Sequence, residues 1–214
     1  MVISELPHQF RVGANTMSNS LSLASRPLHN AYLLMRHGHS EANLAGIIVS
    51  TPARGLDGFG LSTQGRDQLA AVLAEWRWAP PHRVVHSDFL RTTETAERIA
   101  RRFGLDAEAE PRLRERHFGD LEGEGDARYA EVWARDARDP THRHAGVEPV
   151  VEVAARMTAV IEALERAHVG ETLLLVSHGD PLQILLTALA GRELTRHRDR
   201  EPLAPASITP LRGP

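Results

Sequence analysis

Residues 1–30 are polar and mixed, with Gly13, Asn15, Ser18, Asn19 and Ser20 interrupting any hydrophobic period. They are expected to form a loosely ordered N-terminal extension ahead of one domain over residues 31–214. Beyond them the pattern alternates between apolar runs and helical stripes. Ala31-Tyr32-Leu33-Leu34-Met35 is a short apolar run that stops at Arg36-His37-Gly38, which suits a buried strand. Leu69, Val72, Leu73 and Trp76 fall at i, i+3, i+4 and i+7, one face of a helix that Pro80-Pro81 should end. Arg83-Val84-Val85-His86-Ser87 reads as a second strand. A helix follows with Ala96, Ile99, Ala100 and Phe103 inward and Gly104 as its stop. Val150, Val153, Ala154, Met157, Val160, Ile161 and Leu164 form the strongest helical stripe. Thr172-Leu173-Leu174-Leu175-Val176 is the most apolar strand, and Pro181 suits the first turn of the helix after it, Leu182 to about Ala190.

Apolar strands alternating with amphipathic helices imply an α/β fold with a mostly parallel sheet covered on both faces. Ligands in such folds bind beyond the carboxyl ends of strands. His37 and His178 both stand there, each directly after an apolar run.

Composition narrows the chemistry. With 214 residues and 42% hydrophobic content the chain can bury one core of ordinary size. A formal net charge of -3 argues against a nucleic-acid partner, since phosphate backbones recruit strongly basic faces. No apolar run reaches the roughly 18 residues needed to span a bilayer. Leu21-Ser22-Leu23-Ala24 is too short for a signal-peptide core, so a cytoplasmic location is expected. The chain has no cysteine, which removes thiolate zinc sites and cysteine-based phosphatase chemistry. All 25 of its basic Lys/Arg positions are arginine, which removes the P-loop lysine and Schiff-base mechanisms. Catalysis is left to His, Arg, carboxylates, hydroxyls or a metal.

Phosphoryl transfer without metal or lysine requires a nucleophile, cations for the phosphate oxygens, helix N-terminal amides and an acid for the leaving group. His37 offers an imidazole nitrogen and Arg36 sits beside it. Arg91 opens the helix after the second strand. His178 and the Gly179 amide follow the Thr172–Val176 strand. Arginine suits the role because its planar fork binds phosphate oxygens in pairs and stays charged.

Five ordered segments carry a family resemblance. Arg36-His37-Gly38-His39-Ser40-Glu41-Ala42-Asn43 resembles the R-H-G-x-S-x-x-N signature of the histidine phosphatase superfamily, the phosphoglycerate mutase-like proteins. Leu61–Gln68 resembles its L-[ST]-x-x-G-x-x-Q segment, Ser87–Ala96 its S-x-x-x-R-x-x-x-T-A segment, and Leu113–Gly123 its L-x-E-x-x-F-G-x-x-E-G segment. Ser177-His178-Gly179 closes the set, and the similarity spans roughly residues 31–190. The resemblance implies a phosphoglycerate mutase-like three-layer α/β/α sandwich and a transient phosphohistidine on His37. It implies that Arg36, Arg91 and His178 hold the phosphoryl group and that Asn43 adds a hydrogen bond. Glu115 is implied as the group that protonates the leaving oxygen and then activates water. Gly179, Ser40 and His117 are further candidates for substrate or phosphate binding, and Glu122 for bracing the site. His39 should reach the pocket rim at most.

No metal or other cofactor is expected. The His142-Arg143-His144 cluster lacks paired histidines at helical spacing with a nearby carboxylate. The acidic run Asp120–Glu131 carries glutamates where a calcium loop prefers short side chains. The reading is a metal-independent phosphomonoesterase acting on a small phosphorylated metabolite, with a homodimer left open and neither membrane nor nucleic acid as partner. The short segment Glu124–Gly146 favours hydrolysis, because family mutases carry a longer basic insertion there. Glu115-Arg116-His117-Phe118-Gly119 resembles the mutase form, so phosphoglycerate mutase-type transfer is one alternative. A non-catalytic phosphate-binding or regulatory protein is another. Specificity is expected from the Ala45–Gly60 and Glu124–Gly146 segments, where Arg54, Phe59, Tyr129, Trp133 and Arg138 could face the leaving group.

Overall fold

The computed structural model describes residues 27–211, so most of the expected N-terminal extension lies outside the described residues. Five strands form one sheet in the order β3-β2-β4-β1-β5. They are β1 (Ala31–Arg36), β2 (Arg83–His86), β3 (Ala107–Ala109), β4 (Thr172–Ser177) and β5 (Ile208–Leu211). β1, β2, β3 and β4 run parallel, and β5 pairs antiparallel with β1 at one edge. Every residue of the central β4 is buried, as a strand covered on both faces requires.

Side chains alternate across the pleat, and each face recruits its own helices. Leu34, Leu173 and Leu175 pack against Val153, Met157 and Ile161 of α6 (Val150–Ala167) and Leu182 and Leu185 of α7 (Gly179–Leu189). Leu33, Met35, Leu174 and Val176 pack on the other side against Leu69 of α3 (Thr63–Ala74) and Ala96 and Ile99 of α4 (Leu90–Phe103). The result is the expected three-layer α/β/α sandwich. Short helices α1 (Glu41–Ala45) and α2 (Pro52–Gly55) follow β1, and α5 (Tyr129–Asp136) interrupts the long connection between β3 and α6.

Element boundaries differ from expectation where packing overrides local pattern. α3 stops at Ala74, well before Pro80, because Glu75 leaves helical geometry and Trp76 turns against Trp78 and Phe103, with ring centroids 5.2 and 5.0 Å away. α7 begins at Gly179 instead of Leu182, with His178 as its N-cap. The edge strands β3 and β5 carry too few apolar residues to announce themselves. No helix among the described residues is long and apolar enough to cross a membrane.

Candidate active site

The parallel register of β1 and β4 pairs Arg36 with Ser177, so His37 and His178 emerge together at the carboxyl edge of the sheet. The His37 amide donates to the Ser177 carbonyl at 3.0 Å. Ser87 leaves β2 on the other side of β4, its amide donating to the Val176 carbonyl at 3.0 Å, and places Arg91 in the first turn of α4. Three strand ends thus supply two histidines and an arginine to one point.

The loop after β1 is held by close backbone contact. The Gly38 amide donates to Thr95 Oγ1 at 3.2 Å. The first turn of α3 approaches so closely that a Cβ on Gly65 would run into the His39 carbonyl. Ser40 and Asn43 form a capping box at α1, in which the Asn43 amide donates to Ser40 Oγ at 3.2 Å and the Ser40 amide donates to Asn43 Oδ1 at 3.1 Å. The box fixes the Asn43 side chain by its oxygen. Asn43 lines the cavity, and its Nδ2 has no hydrogen-bond partner among the described residues.

His37 is buried, and its Nδ1–H donates to the Gly38 carbonyl at 2.7 Å. That bond assigns the tautomer, since a carbonyl can only accept, and it leaves Nε2 as the nitrogen that carries the lone pair. Burial pushes the His37 pKa well below its ordinary value, and the charges of Arg91 and Arg36 push it further. The imidazole is therefore neutral and nucleophilic at neutral pH. Burial and Arg91 likewise keep His178 neutral.

Arg91 links the two rings. Its Nε–H points at both His37 Nε2 and His178 Nδ1, each 3.2 Å away, and its Nη2 donates to the Val49 carbonyl at 3.0 Å. Arg36 Nη1 donates to the Leu203 carbonyl at 2.6 Å. Arg36 Nε and Arg91 Nη1 are buried and have no hydrogen-bond partner among the described residues. Unpaired guanidinium donors are costly away from water, so two of them beside one cavity mark a place for an anion. Gly179 packs against Arg36, where a Cβ would lie 3.4 Å from the guanidinium carbon. The N-terminus of α7 adds partial positive charge. His178 Nε2 lies 2.9 Å from Ser87 Oγ. A hydroxyl can accept or donate, so His178 can present Nδ1 to Arg91 as an acceptor or to an oxyanion as a donor.

Glu115 completes the group. Its Oε1 accepts from the Arg116 amide at 2.9 Å, and its Oε2 lies 3.9 Å from His178 Nδ1. Burial raises its pKa to about 7; Asp180 adds to the rise and Arg91 opposes it. A carboxyl group that stays protonated to near neutrality can give a proton to a leaving oxygen. Behind it lies a buried ionic cluster. Arg116 donates to both oxygens of Asp136, at 2.7 and 2.8 Å, and to Asp180 at 3.2 Å, and Arg116 and Asp136 are both fully buried.

These residues line a cavity of about 330 Å³. Arg36, His37, Arg91, Glu115, Asn43, Ser40 and Gly179 all border it, while His178 lies buried behind Arg91. His117 does not join them. Arg116 and Phe118 are buried on either side of it, which turns His117 to solvent, where its Nδ1 accepts from the Gly119 amide at 3.0 Å. Its candidacy for substrate binding is corrected accordingly. His39 also lies outside the cavity, with its Nδ1 2.8 Å from Ser62 Oγ. Glu122 braces the loop after α1, accepting from the Ser50 amide and the Ser50 and Thr51 hydroxyls.

Of the five specificity candidates, Tyr129 and Trp133 line the cavity and Arg54, Phe59 and Arg138 do not. Arg54 instead lies over the Phe59 ring at 5.9 Å. The wall also takes in Asp126, Gln183, Arg198, Pro202 and Leu203. No local pattern marks the last three, because the segment after α7 is irregular and is folded over the site only by tertiary contacts. Among the described residues no group of three or more His, Cys, Asp or Glu is placed to hold a metal ion.

Comparison with known proteins agrees with this geometry. The family model of the histidine phosphatase superfamily (branch 1) matches residues 32–213. A probable phosphoglycerate mutase GpmB from Photorhabdus laumondii is 35% identical over 172 residues, covering 78% of this chain and 77% of that protein. Glucosyl-3-phosphoglycerate phosphatase from Mycobacterium tuberculosis is 31% identical over 196 residues, covering 85% and 84%. The structure of mycobacterial glucosyl-3-phosphoglycerate phosphatase with VO3 superposes with a TM-score of 0.72 at 28% identity, covering 85% of this chain and 92% of that one.

Proposed function

Since the chain belongs to the histidine phosphatase superfamily, we propose that it is a metal-independent phosphomonoesterase acting on a small phosphorylated metabolite. Membership itself supports phosphatase or mutase activity. The observation that carries the finer reading is the pair of buried guanidinium donors on Arg36 and Arg91, unpartnered among the described residues, beside the lone-pair nitrogen Nε2 of a neutral His37.

In this reading a phosphomonoester binds with its oxygens on Arg36 Nε, Arg91 Nη1 and Asn43 Nδ2, while His178 turns its Nδ1–H toward a phosphate oxygen. His37 Nε2 attacks phosphorus as the bond to the alcohol oxygen breaks. Glu115 gives its proton to that oxygen, and the alcohol leaves. Water then attacks the phosphohistidine, Glu115 takes back a proton, and inorganic phosphate departs with His37 neutral again. Splitting one displacement into two lowers each barrier, and prearranged donors stabilise the equatorial oxygens in both.

The mutase reading is favoured by the likeness to a probable phosphoglycerate mutase. It requires the phosphoryl group to return to a bound acceptor before water enters. One experiment separates the readings: hydrolysis of phenyl phosphate in EDTA, with parallel assays for phosphate release and for 2-/3-phosphoglycerate interconversion. Metal-free phosphate release that disappears in His37→Ala is the expected result. Unchanged release in His37→Ala removes the nucleophile, loss in EDTA removes metal independence, and interconversion without release favours the mutase.

A further inference from the structure

The wall of the cavity opposite the two phosphate-facing arginines has a charge balance of its own. Arg36 and Arg91 together offset a phosphate dianion, which leaves Arg198 as the remaining arginine among the described residues that line the cavity. Arg198 is already engaged on three sides. Its guanidinium lies 3.7 Å from the centroid of the Trp133 ring, its Nη1 donates to Gln183 Oε1, and the same nitrogen is 3.4 Å from Asp180 Oδ1. Asp180 is itself buried and held by Arg116 at 3.2 Å and His197 at 3.5 Å.

Another carboxylate faces the same space with no paired cation among the described residues. Asp126 borders the cavity, is exposed, and makes no ion pair and no side-chain hydrogen bond among the described residues. Beside it, Tyr129 and Trp133 stack with ring centroids 5.4 Å apart and planes 11° from parallel. An aromatic wall favours a flat or cyclic partner. An unpaired carboxylate repels a like charge brought into a partly desolvated pocket. At about 330 Å³ the cavity is at the small end of ligand pockets, which run from roughly 300 to 1,000 Å³. One ring beside a phosphoryl group is enough to fill it.

We infer that this pocket selects phosphomonoesters of uncharged cyclic alcohols and discriminates against esters whose alcohol carries a carboxylate. Tyr129 and Trp133 supply the aromatic wall and Asp126 the rejecting charge. The inference rests on the phosphomonoesterase reading and adds the substrate class to it. Arg198, which a carboxylate would need as its partner, acts instead as a tie between Asp180, Gln183 and the Trp133 ring.

The test uses the full chain and esters matched except for the charge. Phenyl phosphate should exceed 4-carboxyphenyl phosphate in kcat/KM by about tenfold or more, and glycerol 3-phosphate should exceed 3-phosphoglycerate in the same sense. Asp126→Asn should raise kcat/KM for the carboxylated member of each pair, relative to its uncharged partner, by roughly threefold to fivefold, the range of an exposed charge interaction. Trp133→Leu should raise KM for phenyl phosphate more than for glycerol 3-phosphate. Equal or better turnover of the carboxylated esters, or an Asp126→Asn variant in which both members of a pair move together, would overturn the inference while leaving the esterase reading intact. Absence of turnover on every ester would overturn the esterase reading itself.

Discussion

His37 and His178 stand with their rings 5.2 Å apart and inclined at 64°, one residue beyond the paired ends of two parallel strands. The relationship follows from register. Because Arg36 pairs with Ser177, a one-residue slip would move His178 away from His37 and reverse the faces of Leu173, Leu174 and Leu175. The same apolar alternation that builds the core therefore sets the spacing of the two histidines. Arg91 then closes the group by offering one N–H to both rings.

Arg91 is expected to be irreplaceable by lysine. A lysine keeps the charge but lacks the fork that donates to the Val49 carbonyl while leaving another nitrogen for the phosphate. Arg91→Lys should lower kcat/KM for phenyl phosphate by about 10²–10³-fold, the usual loss when a preorganised oxyanion donor is removed. Steady-state kinetics check this; a variant within threefold of the parent would show that charge alone suffices.

The pH dependence of turnover should have one limb near neutrality. In the proposed mechanism Glu115 must be protonated to serve a poor leaving group, and its pKa is raised to about 7 by burial first and by Asp180 second. With glycerol 3-phosphate, kcat/KM should fall as pH rises through about 7. His37 is held well below its ordinary value, so no histidine limb should appear around the usual imidazole range. Glu115→Gln should lower activity and flatten the basic limb; a limb unchanged in that variant would assign it to another group.

The same shift has a consequence for stability. A carboxyl whose folded pKa lies above its unfolded value contributes most below the unfolded value of 4.5, and that contribution is lost as pH rises through about 7. Glu115 ionised in its buried position then costs the fold on the order of 3 kcal/mol. Glu115→Gln should therefore gain stability relative to the parent at pH 8 and show little gain at pH 4. Urea denaturation at the two pH values measures the difference; an equal effect at both would detach it from ionisation.

Asp136→Ala should destabilise strongly. It leaves the fully buried Arg116 without its bidentate partner, and breaking such a pair from one side costs about 3–5 kcal/mol. The Arg116 backbone amide also anchors Glu115, so activity in the folded fraction should fall as well. A denaturation midpoint that hardly moves would show that Asp180 takes over the charge.

Much of the fold was legible in order of residues alone. β1, β2, β4 and the inward faces of α4 and α6 follow from apolar runs and helical stripes, because a strand buried on both faces and a helix buried on one leave periodic traces. Arg36, His37, Arg91, Glu115 and His178 could be picked out for the same reason: each lies at the end of such an element or in a short motif with a fixed local shape. Ser40 and Asn43 belong with them, since a capping box spans only four residues.

What only the tertiary structure decided is the Tyr129–Arg198 side of the cavity and the outward turn of His117. Tyr129 and Trp133 on α5, Gln183 on α7 and Arg198 beyond it are brought together across a span of about 70 residues of sequence by packing, not by any repeat or spacing. The Arg116–Asp136–Asp180 cluster is likewise invisible in sequence, where charged residues ordinarily signify surface. Sequence determined the His37–Arg91 side of the cavity because that side is built at strand ends, whose backbone geometry is local. The opposite side depends on long-range contacts between irregular segments, and no local free-energy preference specifies those in advance.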